Sequence, residues 1–134
     1  METMTERIEV TSDQDVVRVR QLVRTVAVGA KLSLVDQTKV VTAASELARN
    51  TLVYGGGGTV DVERVDNGRR SGIRIVFRDQ GPGIADVDLT LTDGYTTGGG
   101  LGLGLSGARR LVDEFDIDTG VGQGTHITVT KWCR

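Results

Sequence analysis

The stretch DQGPGIADVDLTLTDGYTTGGGLGLGLSG, from Asp79 to Gly107, decides how the rest of the chain is read. Two glycine groups bracket it, Gly81/Gly83 and Gly98/Gly99/Gly100/Gly102/Gly104. Glycine carries the largest backbone entropy cost of any residue, so five in the seven residues from Gly98 to Gly104 serve something other than stability. Such a run lets backbone N–H groups approach an anion with no side chain between them. The second group runs into LSGARRLVDEF, whose spacing predicts a helix over about 104–114. A phosphate at the start of that helix would meet unpaired amides and the positive end of the helix dipole. The bland alternative is a surface loop, and an isolated glycine run would favour it.

Outward from this stretch, the pattern alternates. RIEVT at 7–11 predicts a first strand, and Ser12 or Asp13 offers an N-cap. Val16, Val19, Val23, Val26 and Ala27 recur at helical spacing up to Gly29. A second helix is expected over about 34–54, with Val40, Ala44, Leu47, Ala48 and Thr51 as its inner stripe, stopped by the four glycines 55–58. TVDVERV and GIRIVFRD read as strands joined by a turn at Asp66-Asn67-Gly68. Two more strands follow, at about 115–119 and 125–132, the second holding the only histidine, His126, as a strand side chain. The fold class expected is an α+β two-layer sandwich, with helices on one face of a mixed, largely antiparallel sheet. At 134 residues the chain is read as one domain.

Composition narrows the function. A net charge of -2 gives no bulk electrostatic case for nucleic acid. No run approaches 18 apolar residues, so no membrane span is expected, and METMTERIEV lacks the apolar segment of a signal peptide. One cysteine, Cys133, excludes an internal disulfide and reads as a tail thiol. A cytoplasmic protein is the expectation. GxxxxGK[ST] is absent, and the lysines are only Lys31, Lys39 and Lys131. GxGxxG can be laid on Gly98–Gly104, but the residues before it do not read as a buried strand, so a dinucleotide fold fits poorly.

The second helix carries ASELARN, which puts Glu46 and Asn50 four residues apart on one face. A carboxylate and a carboxamide there suit a hydrated cation, or a carboxylate orienting a hydroxyl. Small residues at 43–45 suggest that Glu46 sits close to packed backbone. The plain alternative is a solvated Glu46 paired with Arg49.

Taken in order, ELxxN (Glu46–Asn50), DxGxG (Asp79–Gly83), the glycine run and Gly124-Thr125 before the last strand resemble the GHKL, or Bergerat-fold, ATPase and kinase superfamily. The resemblance spans nearly the whole chain. DQGPGI, DGYTTGGGLGLGLSGARRLVDEF and GTHITVTKW make it similar to the short bacterial anti-sigma-factor serine/threonine kinases, nearest the stressosome switch kinases. Two departures stand out: Ala-Ala-Ser precedes Glu46 where a branched residue is usual, and the glycine lid carries no Arg or Lys.

The resemblance implies ATP and Mg²⁺ as cofactors. It implies that Asp79 accepts from the adenine amino group, Gly81 and Gly83 turn beneath the base, and Thr125 assists through its hydroxyl or a water. It gives Asn50 the Mg²⁺, makes Glu46 the catalytic base, and makes Gly98, Gly99, Gly100, Leu101, Gly102 and Gly104 a lid over the phosphates. The partners implied are a STAS-domain antagonist carrying the serine substrate, and possible contacts with a PP2C-type phosphatase, a sigma factor or a second copy in a homodimer, with no nucleic acid and no membrane. The alternative is a non-catalytic anti-sigma or phosphatase-activating module for which nucleotide is a conformational ligand. A detached histidine-kinase domain ranks third, since no phosphoacceptor helix is present.

Overall fold

A computed structural model of the chain describes residues 5–83 and 105–134. The expected lid, Gly98 to Gly104, therefore lies outside the described residues. The elements run β1 (Thr5–Val10), α1 (Asp13–Gly29), α2 (Leu34–Val53), β2 (Gly58–Asp66), β3 (Ser71–Asp79), α3 (Leu105–Leu111), β4 (Glu114–Thr119) and β5 (Thr125–Trp132). Ser12 is the N-cap of α1, as expected, but its side chain makes no cap bond. Instead, the Asp15 carboxylate reaches back past the N-cap to accept from the Thr11 amide at 2.9 Å and from the Thr11 and Ser12 hydroxyls. The α1–α2 corner closes with Leu32 N–H on the Ala27 carbonyl and Lys31 N–H on that of Val28, a Schellman pattern. Lys31 takes the left-handed position with φ 65° that glycine usually fills. Ser33 then caps α2 by accepting from the Asp36 amide at 3.1 Å.

Among the described residues the strands form one sheet in the order β1-β2-β3-β5-β4. The sheet expected to be largely antiparallel is antiparallel at every neighbouring pair described. The reason lies in the two hairpins, β2–β3 and β4–β5, and in β5 entering against β3 from the opposite end. Alternation assigns the two faces. Val60, Val62, Ile73, Ile75, Phe77, Ile127 and Val129 are buried in one cluster with the inner stripes of α1 and α2. All five stripe positions expected on α2 are buried. The other face carries Arg7, Asp61 and Arg78, where Asp61 accepts from both arginines. The Arg7 hydrogen bond, more than any other cause, holds the Asp61 carboxyl below its usual range.

The helix expected over 104–114 is shorter: α3 stops at Leu111, and Glu114 and Phe115 already belong to β4. Long-range bonds override the helical spacing. Asp113 donates its amide to the Thr130 carbonyl at 2.9 Å and accepts from the Trp132 amide at 2.7 Å. The β1 strand also starts and ends earlier than expected, at Thr5 and Val10, because Thr11 is taken up by the Asp15 cap.

A buried ion cluster joins the start of α2 to the end of β5. The Lys131 ammonium, 3% exposed, lies 3.6 Å from Asp36 and 3.5 Å from Asp113. Arg134 reaches the same two carboxylates, at 3.6 and 2.8 Å. Lys131→Met is expected to lower stability by about 3 kcal/mol, the low end for a broken buried pair because Arg134 still faces both acids. Chemical denaturation checks this, and a loss under about 1 kcal/mol would show that Arg134 alone holds the cluster.

Candidate functional site

The inner face of the sheet changes character in its last row. In register, Val60, Phe77, Ile127 and Ile117 lie side by side across β2, β3, β5 and β4. Two residues further along each strand the row becomes Gly58, Asp79, Thr125 and Thr119, on the same face by alternation. A cleft opens here beneath the C-terminal turns of α2. Its walls are Leu47, Phe77, Leu105 and Ile127, and its polar edge is Asn50, Thr51, Asp79 and Thr125. An apolar slot edged by a few convergent polar groups is the usual form of a small-molecule site. Its polar groups are placed to meet hydrogen-bonding groups of a ligand lying against the apolar wall.

Asp79 dominates the electrostatics. Its carboxylate accepts from the Gly81 amide at 2.9 Å and from the backbone amide of Thr125. Burial nevertheless outweighs these two bonds and pushes its pKa above the ordinary carboxylate range. Thr125 is held in turn by Thr119, whose hydroxyl lies 2.9 Å from that of Thr125 and donates to the Gly124 carbonyl at 2.8 Å.

The glycines around Asp79 are fixed by packing. A Cβ on Gly55 would collide with the Asp79 side chain and lie 2.7 Å from the Thr51 carbonyl. A Cβ on Gly81 would lie 2.7 Å from the Gly55 Cα. Gly83 has φ 77°, and a Cβ there would run into the Gly120 carbonyl. Pro82 accepts from the Gly122 amide at 2.7 Å, so the 81–83 turn is clamped to the β4–β5 turn. Gly55→Ala is expected to displace Asp79 and to lower stability by about 1–3 kcal/mol. A melting curve with a nucleotide titration checks both effects, and an unchanged variant would mean that the α2–β2 connection yields freely.

The structure thus brings together Asn50, Asp79, Gly81, Gly83 and Thr125. Glu46 lies one turn before Asn50 on α2 and is exposed, which corrects the expectation that it sits against packed backbone. Arg49 is 3.9 Å from Asp13 of α1, so the pairing considered for it with Glu46 is replaced by one to α1. Sequence reasoning missed Thr119 and Gly55 as site residues. Gly55 carried a signal as the first of four glycines, but only as a helix stop. Among the described residues no group of three or more His, Cys, Asp or Glu could hold a metal. No helix among the described residues is long and apolar enough to cross a membrane.

The family model for histidine kinase-, DNA gyrase B- and HSP90-like ATPases matches residues 35–133, which include α2, the 79–83 turn and the Thr125 strand. The chain belongs to this family. Within it, the chain is 43% identical over 127 residues to serine/threonine-protein kinase RsbT of Bacillus subtilis (strain 168), covering 95% of this chain and 96% of that one. It is also 32% identical over 116 residues to the anti-sigma F factor of Clostridium novyi (strain NT), covering 79% of this chain and 81% of that one. The family match gives the cleft an ATPase frame, and the GHKL resemblance of the four sequence boxes stands.

Proposed function

We infer that the protein is an ATP-dependent serine/threonine kinase that phosphorylates a STAS-domain antagonist in a bacterial sigma-factor pathway, acting in the cytoplasm and switching the pathway by partner exchange. The observation that carries this is the polar row Asp79–Thr125 closing an apolar slot, in a chain 43% identical to a named serine/threonine kinase over nearly its full length.

In this reading the slot takes the adenine ring, and the Asp79 carboxylate accepts from its amino group. ATP bound with Mg²⁺ would supply the γ-phosphoryl group, and Asn50 would hold the cation. Glu46, exposed on α2, would accept the proton of the substrate serine hydroxyl as that oxygen attacks the γ-phosphorus and ADP leaves. Its exposure suits a base whose substrate belongs to another protein. A lid formed by Gly98, Gly99, Gly100, Leu101, Gly102 and Gly104, as the family resemblance implies, would exclude water and favour serine over hydrolysis. A PP2C-type phosphatase or a second copy of the chain is a further proposed partner.

The likeness to an anti-sigma F factor favours a second reading, a module that holds a sigma factor, with nucleotide setting its conformation. Calorimetric titration with ATP, with and without Mg²⁺, tests the site common to both. Magnesium-dependent binding is expected, and no binding by the folded protein would overturn both readings.

A further inference from the structure

Exposed apolar side chains collect at one corner of the fold. Six large apolar residues are exposed among the described residues, and three of them, Val28, Leu34 and Val35, sit at the α1–α2 corner, 55%, 71% and 64% exposed. The core does not use them, because the inner stripes of α1 and α2 face the sheet. Single exposed apolar residues need no explanation, but a group of them marks a contact surface.

Cations rim this group. Arg24 lies one helical turn before Val28, Lys39 one turn after Val35, and Lys31 between the helices, all three exposed. From Val16 to Ser45 the chain holds five cations and one carboxylate, Asp36, in a molecule of net charge -2. Asp36 is 5% exposed and faces Lys131 and Arg134, so its charge is offset inside the protein. The corner therefore presents positive charge around an apolar centre. That sign selects the occupant. A second copy placed by a two-fold axis would set these cations against the same cations. A membrane-surface element needs a long apolar face with aromatic anchors, and two valines and a leucine supply neither. An amphipathic segment with carboxylates flanking an apolar stripe matches both centre and rim.

We propose that the α1–α2 corner docks an acidic, amphipathic segment of a partner protein, at the end of α2 remote from the cleft. Leu34 opens α2 and Asn50 lines the cleft, about 24 Å apart along the helix. A partner held at the corner therefore leaves the cleft free, and the two can be occupied together.

The test titrates the 134-residue chain into a fluorescein-labelled helical peptide of leucine and glutamate, with leucine at a and d of each heptad. Fluorescence anisotropy should report a Kd of about 10–100 μM. The same peptide with lysine for glutamate, and a shuffled one without the leucine stripe, should bind at least about tenfold more weakly. The double variant Leu34→Ser, Val35→Ser should lose about tenfold in affinity, and so should Lys31→Gly, which suits the φ of 65° and removes only the side chain. Val53→Ser, exposed at the other end of α2, should bind as wild type does. ATP with Mg²⁺ should leave the Kd unchanged within about twofold. No binding by wild type, or equal binding by the corner variants, overturns the proposal. Competition by ATP overturns the separation from the cleft. Sedimentation with phosphatidylserine vesicles but no peptide binding would assign the corner to a membrane. Self-association abolished by the double variant would assign it to a second copy. Either result overturns the proposal.

Discussion

Asp79→Asn is expected to bind ATP about 10- to 100-fold more weakly than wild type, the loss that follows if this half-buried acceptor faces a ligand donor and is replaced by a donor. Asparagine keeps one oxygen, which can still accept from the Gly81 amide and hold the 81–83 turn. In the proposed adenine pose its amide nitrogen would face the ligand amino group, donor against donor. The same substitution has a pH signature in the free protein. Burial raises the Asp79 pKa in the folded state, so folded protein holds this proton more tightly than unfolded chain does. The contribution of Asp79 is therefore most favourable below its unfolded pKa and is lost as pH rises through the folded pKa. The substituted asparagine does not titrate. The stability of the variant relative to wild type should improve as pH is raised from about 4 toward neutrality, read by denaturation at a series of pH values. A gap that moves the other way would mean that the two backbone donors, not burial, govern this carboxylate.

Glu46→Gln should cut phosphotransfer by about 10²–10⁴, the usual range for a positioned general base, while ATP affinity stays within about twofold. The separation of the two effects follows from geometry. Glu46 is exposed and does not line the cleft, whereas Asn50, one helical turn and about 6 Å further along α2, does. Glutamine keeps the length and helix propensity of the side chain and removes only the basic oxygen. Partner binding should also survive, because nothing in the fold is disturbed by an exposed, isosteric change. Retained phosphotransfer in this variant would remove Glu46 from the chemistry. Joint loss of partner binding and transfer would instead place Glu46 in the docking surface.

How much of this was legible in the sequence varies with distance along the chain. The inner stripe of α2 and the alternation of β3 are local patterns, and the structure follows them residue by residue. The β2–β3 hairpin announced itself through Asp66-Asn67-Gly68, where Gly68 has φ 88° and the Asn67 side chain accepts the Arg70 amide at 2.8 Å. The end of α3 was not legible. LVDEF has helical spacing, and partners far along the chain, Thr130, Lys131, Trp132 and Arg134, pull Asp113 out of the helix. The cleft divides the same way. Asp79, Gly81 and Gly83 are signalled by their own motif. That Gly55 abuts Asp79, or that Thr119 stands next to Thr125, depends on strand register and on the α2–β2 connection. No short-range signal encodes either. Glu46 shows the opposite failing: small neighbours at 43–45 suggested crowding, but Ala43 and Ala44 face inward while Glu46 points to solvent.

The most direct test of the kinase reading is phosphotransfer itself. The 134-residue chain is incubated with ATP, Mg²⁺ and a STAS-domain antagonist, and the antagonist is analysed by mass spectrometry for phosphoserine or phosphothreonine. The prediction is stoichiometric phosphorylation that requires Mg²⁺, needs more ATP in Asp79→Asn and is slowed by about 10²–10⁴ in Glu46→Gln. ATP binding and a stable complex with the antagonist, but no phosphate transferred, would contradict it and leave the nucleotide as a conformational ligand of a binding module.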